Sequence, residues 1–400
     1  FNVIALPYPK YDSNSGFVLK LKGKNYNFLG SMRTLNTDIV YSYEPDTNDN
    51  DIYKHNIGGN LGFSLPFKMG VFNSSFDTDF SLGYKLGDTK ASLGLGLGLN
   101  NSYTINDIIS VSFGISHSFK YDPYYEPWGD AFTQRESFSL SLPIVLATIP
   151  NWSKIIWSPN FTTTYTWDTN GITHSDFYSP TISIGQSIST GKVDWVGNFR
   201  KGFEISSSQS VGYNFKTDAF SPFFSFALSY FSAFSQVGPY LRFYGYNNLN
   251  GTTESGDRMR GIRDSYLDSD TAFICNFDLP IRIWQTDWVG YGFPGIFRFV
   301  DFEMQVSPFV DFAFSHNTTT GTRFNFKDTF WSGGIEIIGY PNKMRSIQGR
   351  ISLGFDLVTC ADLVGNKIGI VDKVIHRLFN TDWRTGSSKY ELFLGIGLFY

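Results

Sequence analysis

Three arginines, Arg258, Arg260 and Arg263, crowd one short segment, and two aspartates, Asp278 and Asp311, follow it at a distance. A guanidinium is a planar fork of N–H donors that a carboxylate can receive on two oxygens at once. Away from bulk water such a pair is a strong constraint, because a withdrawn charge without a partner is costly. The chemistry on offer is therefore attachment, the pinning of a loop, rather than turnover. Taken alone, these residues would serve equally as a solvated basic loop and an ordinary wall charge. The five histidines, His55, His117, His174, His316 and His376, are expected at strand ends or in loops. No Gly-x-Ser-x-Gly motif accompanies them, and their spacing shows no triad. No His or carboxylate pair stands at metal-ligand spacing. Neither catalysis nor a metal or cofactor is expected.

Composition narrows the setting for that attachment. Aromatic residues make up 18% of the 400, with 40 Phe, 23 Tyr and 9 Trp, while charged residues are only 17%, below the globular norm of about 25%. Yet mean hydropathy is −0.16, and no stretch approaches the roughly 20 apolar residues of a membrane helix. Lys+Arg 32 against Asp+Glu 36 gives a net charge of −4, without the basic excess that a nucleic-acid binder needs. Cys275 and Cys360 are too few for a disulfide scaffold or a zinc cluster. A transmembrane β-barrel has this profile, because half of each strand faces a polar lumen.

The periodicity agrees. Phe76, Thr78, Phe80, Leu82, Tyr84 and Leu86 alternate with Asp77, Asp79, Ser81, Gly83 and Lys85. Leu93, Leu95, Leu97 and Leu99 alternate with Ser92, Gly94, Gly96 and Gly98, and Phe138, Leu140, Leu142 and Ile144 with serines. Late in the chain, Val300, Phe302, Met304, Val306, Val310, Phe312 and Phe314 alternate with Asp301, Glu303, Gln305, Ser307, Asp311 and Ser315. A period of two held over ten residues is strand. Strands of this length, with Gly and Ser on the polar parity, fit a barrel with its apolar parity toward lipid better than a soluble sandwich. The expected fold is all-β: a single antiparallel transmembrane barrel over residues 1–400, with no domain boundary. The last five strands fall near 271–284, 297–315, 329–340, 346–358 and 388–400, and a raw count gives eighteen, one or two of which near 156–234 are possible fragments. Within 360–388, Val364, Ile368, Val371, Ile375 and Leu378 have helical spacing and suggest a short amphipathic helix. Trp288, Tyr291 and Phe293 read as an interfacial belt in a short turn.

Particular motifs then resemble those of a family. The ending Tyr390-Glu-Leu-Phe-Leu-Gly-Ile-Gly-Leu-Phe-Tyr400 is similar to the C-terminal signal of bacterial outer-membrane barrels. Gly256-Asp257-Arg258-Met259-Arg260-Gly261-Ile262-Arg263-Asp264 resembles the Val/Ile-Arg-Gly-Phe/Tyr motif of the Omp85 superfamily, with Met259 and Ile262 departing from its flanks. Phe309-Val310-Asp311-Phe312-Ala313 resembles the superfamily's Phe-x-Asp-x-Gly, with Ala for Gly. Asn276-Phe277-Asp278 is a looser match to Asn-x-Glu, and Asn25-Tyr26-Asn27-Phe28-Leu29-Gly30 resembles the turn between the second and third strands. The resemblance implies sixteen strands and a long sixth extracellular loop folded into the lumen with five strands after it. It also implies that Arg260, beside Gly261, meets Asp311 near Phe309. Asp278 is the reserve acceptor.

What the resemblance implies for function is the handling of polypeptide at the bacterial outer membrane, by inserting barrels or by translocating or anchoring a partner. Strand-like sequence begins by residue 2, leaving no room for a periplasmic POTRA domain, so an excised barrel or a POTRA-less form is expected. A periplasmic, lipoprotein or client polypeptide is the expected partner beside the lipid bilayer, with no nucleic acid. The lateral seam where first and last strands meet is expected to be weak, because Gly395 and Gly397, in the strand ending at Tyr400, add no side chain to pair. The alternative is a passive channel or a structural barrel subunit.

Overall fold

A computed structural model describes residues 3–45, 53–125, 129–150, 152–171, 177–263, 266–317, 321–342, 347–365, 378–379 and 390–398. Eighteen wall strands are present among them. They are β1 (Val3–Asp12), β2 (Gly16–Asn25), β3 (Leu35–Pro45), β4 (Tyr53–Met69), β5 (Phe72–Lys85) and β6 (Ala91–Thr104). Then come β7 (Ser110–Tyr125), β8 (Gly129–Ser141, continued by Ile144–Thr148), β9 (Lys154–Asp168), β10 (Thr181–Val196), β11 (Phe199–Asn214) and β12 (Ala219–Phe231). The last six are β13 (Tyr240–Asn248), β14 (Thr271–Asp278, continued by Ile281–Gln285), β15 (Phe302–Asn317), β16 (Phe330–Pro341), β17 (Ile347–Asp356) and β18 (Tyr390–Leu398). Each strand runs antiparallel to the next, and β18 returns to β1, closing the sheet.

The raw count of eighteen stands and the implied sixteen is corrected. The segments between 154 and 231 are whole strands, not fragments: β10 and β11 pair without a break from Thr181 opposite Asn214 to Val196 opposite Phe199. The interrupted strands lie elsewhere. β8 breaks at Leu142-Pro143 and β14 at Leu279-Pro280, where proline removes a ladder donor. Counted from the first strand, the arginine-bearing connection between β13 and β14 is the seventh, not the sixth, on the rim opposite the termini. Five strands follow it, as expected.

Side-chain parity sorts the two faces. On β15 Val310 points out and Asp311 is fully buried; on β16 Ile335 and Ile337 point out while Glu336 is buried. Leu82, Ile184, Phe224 and Ile351 belong to the same exposed apolar surface. Such a surface is tolerable only in lipid, where closing the sheet satisfies the backbone groups that an open edge would leave unpaired, apart from those at the join of the first and last strands. A small apolar cluster lies inside the barrel instead, where Met259, Ile262 and Leu267 pack on Ile274, Ala313 and Phe330 of the wall.

The connections differ as a transmembrane barrel requires. Those on the rim of the termini include tight turns such as 69–72 and 196–199, and the long ones, 248–271 and 356–390, leave the opposite rim. One termini-side connection breaks the pattern. Residues 285–302, expected as a short turn, form a long excursion ending in a 3₁₀ helix at Gly295–Val300, so Val300 precedes β15 rather than belonging to it. There Trp288 meets Tyr291 and Phe293 edge-on. The helix suggested within 360–388 begins earlier, at Leu357–Gly365; Ile368, Val371 and Ile375 lie outside the described residues. His117 sits inside β7 beside Glu136 at 2.8 Å, not at a strand end. His55 lies near the start of β4 and His316 near the end of β15, while His174 and His376 lie outside the described residues.

Candidate functional site

Three adjacent strands supply the acids. Pairing sets Asn276 of β14 opposite Asp311 of β15 and Asp278 opposite Phe309; on the other flank Ser307 of β15 lies opposite Glu336 of β16. Because parity is strict, Asp278, Asp311 and Glu336 all face the lumen, and each is at most 1% exposed. Three carboxylates in one dry patch demand a cation.

The loop between β13 and β14 delivers it. The loop narrows at a two-residue ribbon, Thr253–Glu254 against Asp268–Ser269, held by the buried Tyr246 hydroxyl, which meets Ser255 Oγ and Ser269 Oγ at 2.9 Å each. A 3₁₀ turn, Gly256–Arg258, then bends the chain down into the barrel. Arg258 spreads over the Tyr244 ring at 3.6 Å, and its carbonyl accepts from Asn276 Nδ2 at 2.9 Å. Met259 and Ile262 fill the apolar cluster. Between them stands Arg260.

Arg260 is bonded on every edge. Its Nε and Nη2 donate to the two oxygens of Asp311 at 3.0 and 2.6 Å. Nη2 also donates to Asp278 Oδ2 at 3.1 Å, Nη1 donates to Asp278 Oδ1, and Nη1 reaches Glu336 Oε1 at 3.2 Å. The Arg260 backbone N–H adds a third bond to Asp311 at 3.0 Å. The flat face of the guanidinium lies 3.7 Å from the Phe309 ring centroid. Arg242 and Arg350 flank the group, 3.7 Å from Asp278 and 3.9 Å from Glu336, so the three acids do not rest on one cation alone.

Gly261 is obligatory by geometry. Its φ is +84°, and an added Cβ would sit 2.5 Å from the Phe355 nitrogen and 2.7 Å from the Gly354 carbonyl carbon. The loop thus presses directly on the backbone of β17. The Gly261 N–H donates to Glu391 Oε2 on β18 at 2.6 Å. The same carboxylate accepts from Asn14 Nδ2, in the hairpin between β1 and β2, at 2.7 Å. One side chain therefore touches the last strand, the first hairpin and the loop.

Among the described residues the seam itself is short. Register pairs join Lys10, Tyr11 and Asp12 to Gly395, Leu394 and Phe393. Beyond them Ser13 N–H donates to the Leu392 carbonyl at 3.0 Å, and Leu392 N–H donates to Ser13 Oγ at 3.2 Å. Alternate residues of a strand turn their amides to alternate sides. Ser13 turns toward β18, so Pro7 and Pro9, on the same parity, also face β18 and bring no N–H. The opposite side of β1 pairs with β2 from Val3 to Asp12. Gly395 lies opposite Lys10, and Gly397 is in β18 opposite Gln348 of β17. Tyr400 lies outside the described residues.

Of the residues named from sequence, Arg260, Gly261, Asp278, Phe309 and Asp311 converge, whereas Arg263 is exposed at the loop surface. Sequence reasoning missed Glu336 and Glu391. Each is an isolated acid on the polar parity of an otherwise apolar strand, Ile335-Glu336-Ile337 and Tyr390-Glu391-Leu392, and that contrast was the available signal.

No family model matches the chain, and no curated protein matches it in sequence. Solved structures do. CdiB from Escherichia coli aligns over all of this chain and 63% of its own at 10% identity, with a TM-score of 0.53. CdiB from Acinetobacter baumannii aligns over all of this chain and 60% of its own at 11% identity, with a TM-score of 0.50. Pseudomonas aeruginosa OccK2 (OpdF) aligns over 99% of this chain and 96% of its own at 9% identity, with a TM-score of 0.46. The chain spans about three fifths of the length of the two CdiB structures. The likeness is one of fold: this is a β-barrel of the bacterial outer membrane.

Proposed function

We propose that the chain is an Omp85-type barrel that handles polypeptide at the outer membrane, inserting, translocating or anchoring a partner at its lateral seam while the pinned loop fills part of the lumen. The observation that carries the reading is Arg260, received by Asp278, Asp311 and Glu336 from three neighbouring strands with five strands following the loop. The seam supports it. Proline at positions 7 and 9 leaves acceptors of β18 without donors from β1, and an incoming strand can supply them by edge pairing. The partner is a periplasmic protein, a lipoprotein or the client chain itself.

Affinity capture from native membranes tests this. Recovery of a stable protein partner or of nascent barrel chains is expected. Recovery of a lone barrel with ohmic conductance would overturn the proposal in favour of a passive channel. A second measurement isolates the seam: Tyr11→Cys with Leu394→Cys, in a background with Cys275→Ser and Cys360→Ser, places a crosslink across it. Client release should stop when the disulfide forms and resume on reduction. Undiminished release with complete crosslinking would remove the seam from the mechanism.

A further inference from the structure

Two residues of the outer wall carry charge where acyl chains are the neighbour. Register sets His117, near the middle of β7, between Leu97 of β6 and Glu136 of β8, with Tyr165 of β9 beyond Glu136. Parity puts all four on the lipid-facing side. Ile115, next to His117 on that face, is 54% exposed, and the alternating glycines of β6 take the lumenal side. Among the described residues the other charged side chains of this parity lie near the rims, His55 and His316 toward one and Lys192, Asp194 and Lys201 toward the other. An ionisable group that faces lipid away from a rim is costly to keep.

The two charges meet, but only in part. His117 Nδ1 lies 2.8 Å from Glu136 Oε1. An imidazolium donates from both ring nitrogens and a carboxylate accepts on both oxygens, so one polar atom of each remains, Nε2 and Oε2. The side chains are 36% and 48% exposed, and lipid tails offer neither donor nor acceptor. What satisfies the remaining atoms is another His–Glu pair at the same depth, presented in the reverse order. A second copy of this chain supplies one. One cation beside one anion is self-complementary about a twofold axis. With that axis along the membrane normal, between β7 and β8, His117 of each copy faces Glu136 of the other. Ile115 then faces Phe138, its register partner within one copy, and packs an apolar contact below the charges.

We infer that this face of β7 and β8 is the interface of a homodimer within the membrane, closed by two reciprocal His117–Glu136 contacts. The inference is the same whether the barrel handles polypeptide or conducts solutes.

Stepwise photobleaching of the full chain, with one fluorophore per copy, in dilute phosphatidylethanolamine–phosphatidylglycerol vesicles counts the copies. Paired bleaching steps are expected. His117→Leu with Glu136→Leu gives the wall the residue type it already has at Leu97; it should keep the strand circular-dichroism signal and bleach in single steps. Charge exchange is the stricter arm. His117→Glu alone leaves two acids on the face and Glu136→His alone two imidazoles, so each should be monomeric. Mixed with one another in two colours, these single variants should pair. A monomeric unaltered chain or a folded double variant that still pairs would overturn the interface, and the double variant decides if the exchanged chains fold poorly. Folded single variants that stay apart on mixing would overturn it as well.

Discussion

Replacing Arg260 by Ala removes five side-chain hydrogen bonds and leaves Asp278, Asp311 and Glu336 facing one another in a dry patch. Breaking a buried ion pair by deleting one member costs about 3–5 kcal/mol, because the orphaned charge stays desolvated. Arg242 and Arg350 stand near two of the acids and offset part of this, so about 3 kcal/mol is the expected net loss. That corresponds to roughly a hundredfold rise in the population of the detached loop. Hydrogen exchange reads it directly, since the Arg260 and Gly261 amides are bonded to Asp311 and Glu391. Their protection should fall about a hundredfold, and that of mid-strand amides in β10 and β11 should not change. Arg260→Lys, which keeps a point charge without the fork, should fall between. Unchanged loop protection in Arg260→Ala would refute the reasoning, because it would mean that the loop's other contacts, the packing of Met259 and Ile262 and the bonds of Arg258 and Gly261, hold it without the guanidinium.

Gly261→Ala should loosen the loop by about 2 kcal/mol or more, from the positive φ and the contact with the Phe355 nitrogen; protease cleavage near 256–262 reports it. Pro7→Val with Pro9→Val restores two donors facing β18, and exchange of β1 and β18 amides should slow, each new bond contributing about 1 kcal/mol; equal exchange would show that the prolines do not limit the seam. Glu391→Gln should raise exchange at both Gly261 and Ser13, since the one carboxylate serves the loop and adjoins the first hairpin. A change confined to the loop would place the seam outside its influence.

The wall was legible because period-two alternation is a local property, visible wherever lipid meets one face and lumen the other. Asp278 and Asp311 could be placed inside the barrel by parity alone. Strand number was less so. Pro143 and Pro280 split two strands at points where a ladder continues on either side, and a split strand and a turn look alike along the sequence. Glu336 and Glu391 were hidden for another reason. Their partners lie 76 and 130 residues away along the chain, and sequence pattern fixes which face a residue takes but not which loop reaches it.

The acids that receive Arg260 come one each from β14, β15 and β16. A slip of one residue in either pairing would turn at least one of them toward lipid. The guanidinium fork can be filled only when all three strands are in their final register, so docking of the loop has to follow completion of that wall. Arg260 therefore reports the register of the wall: while the three strands are misaligned the arginine has no complete seat, and the loop that carries it has nothing to close on.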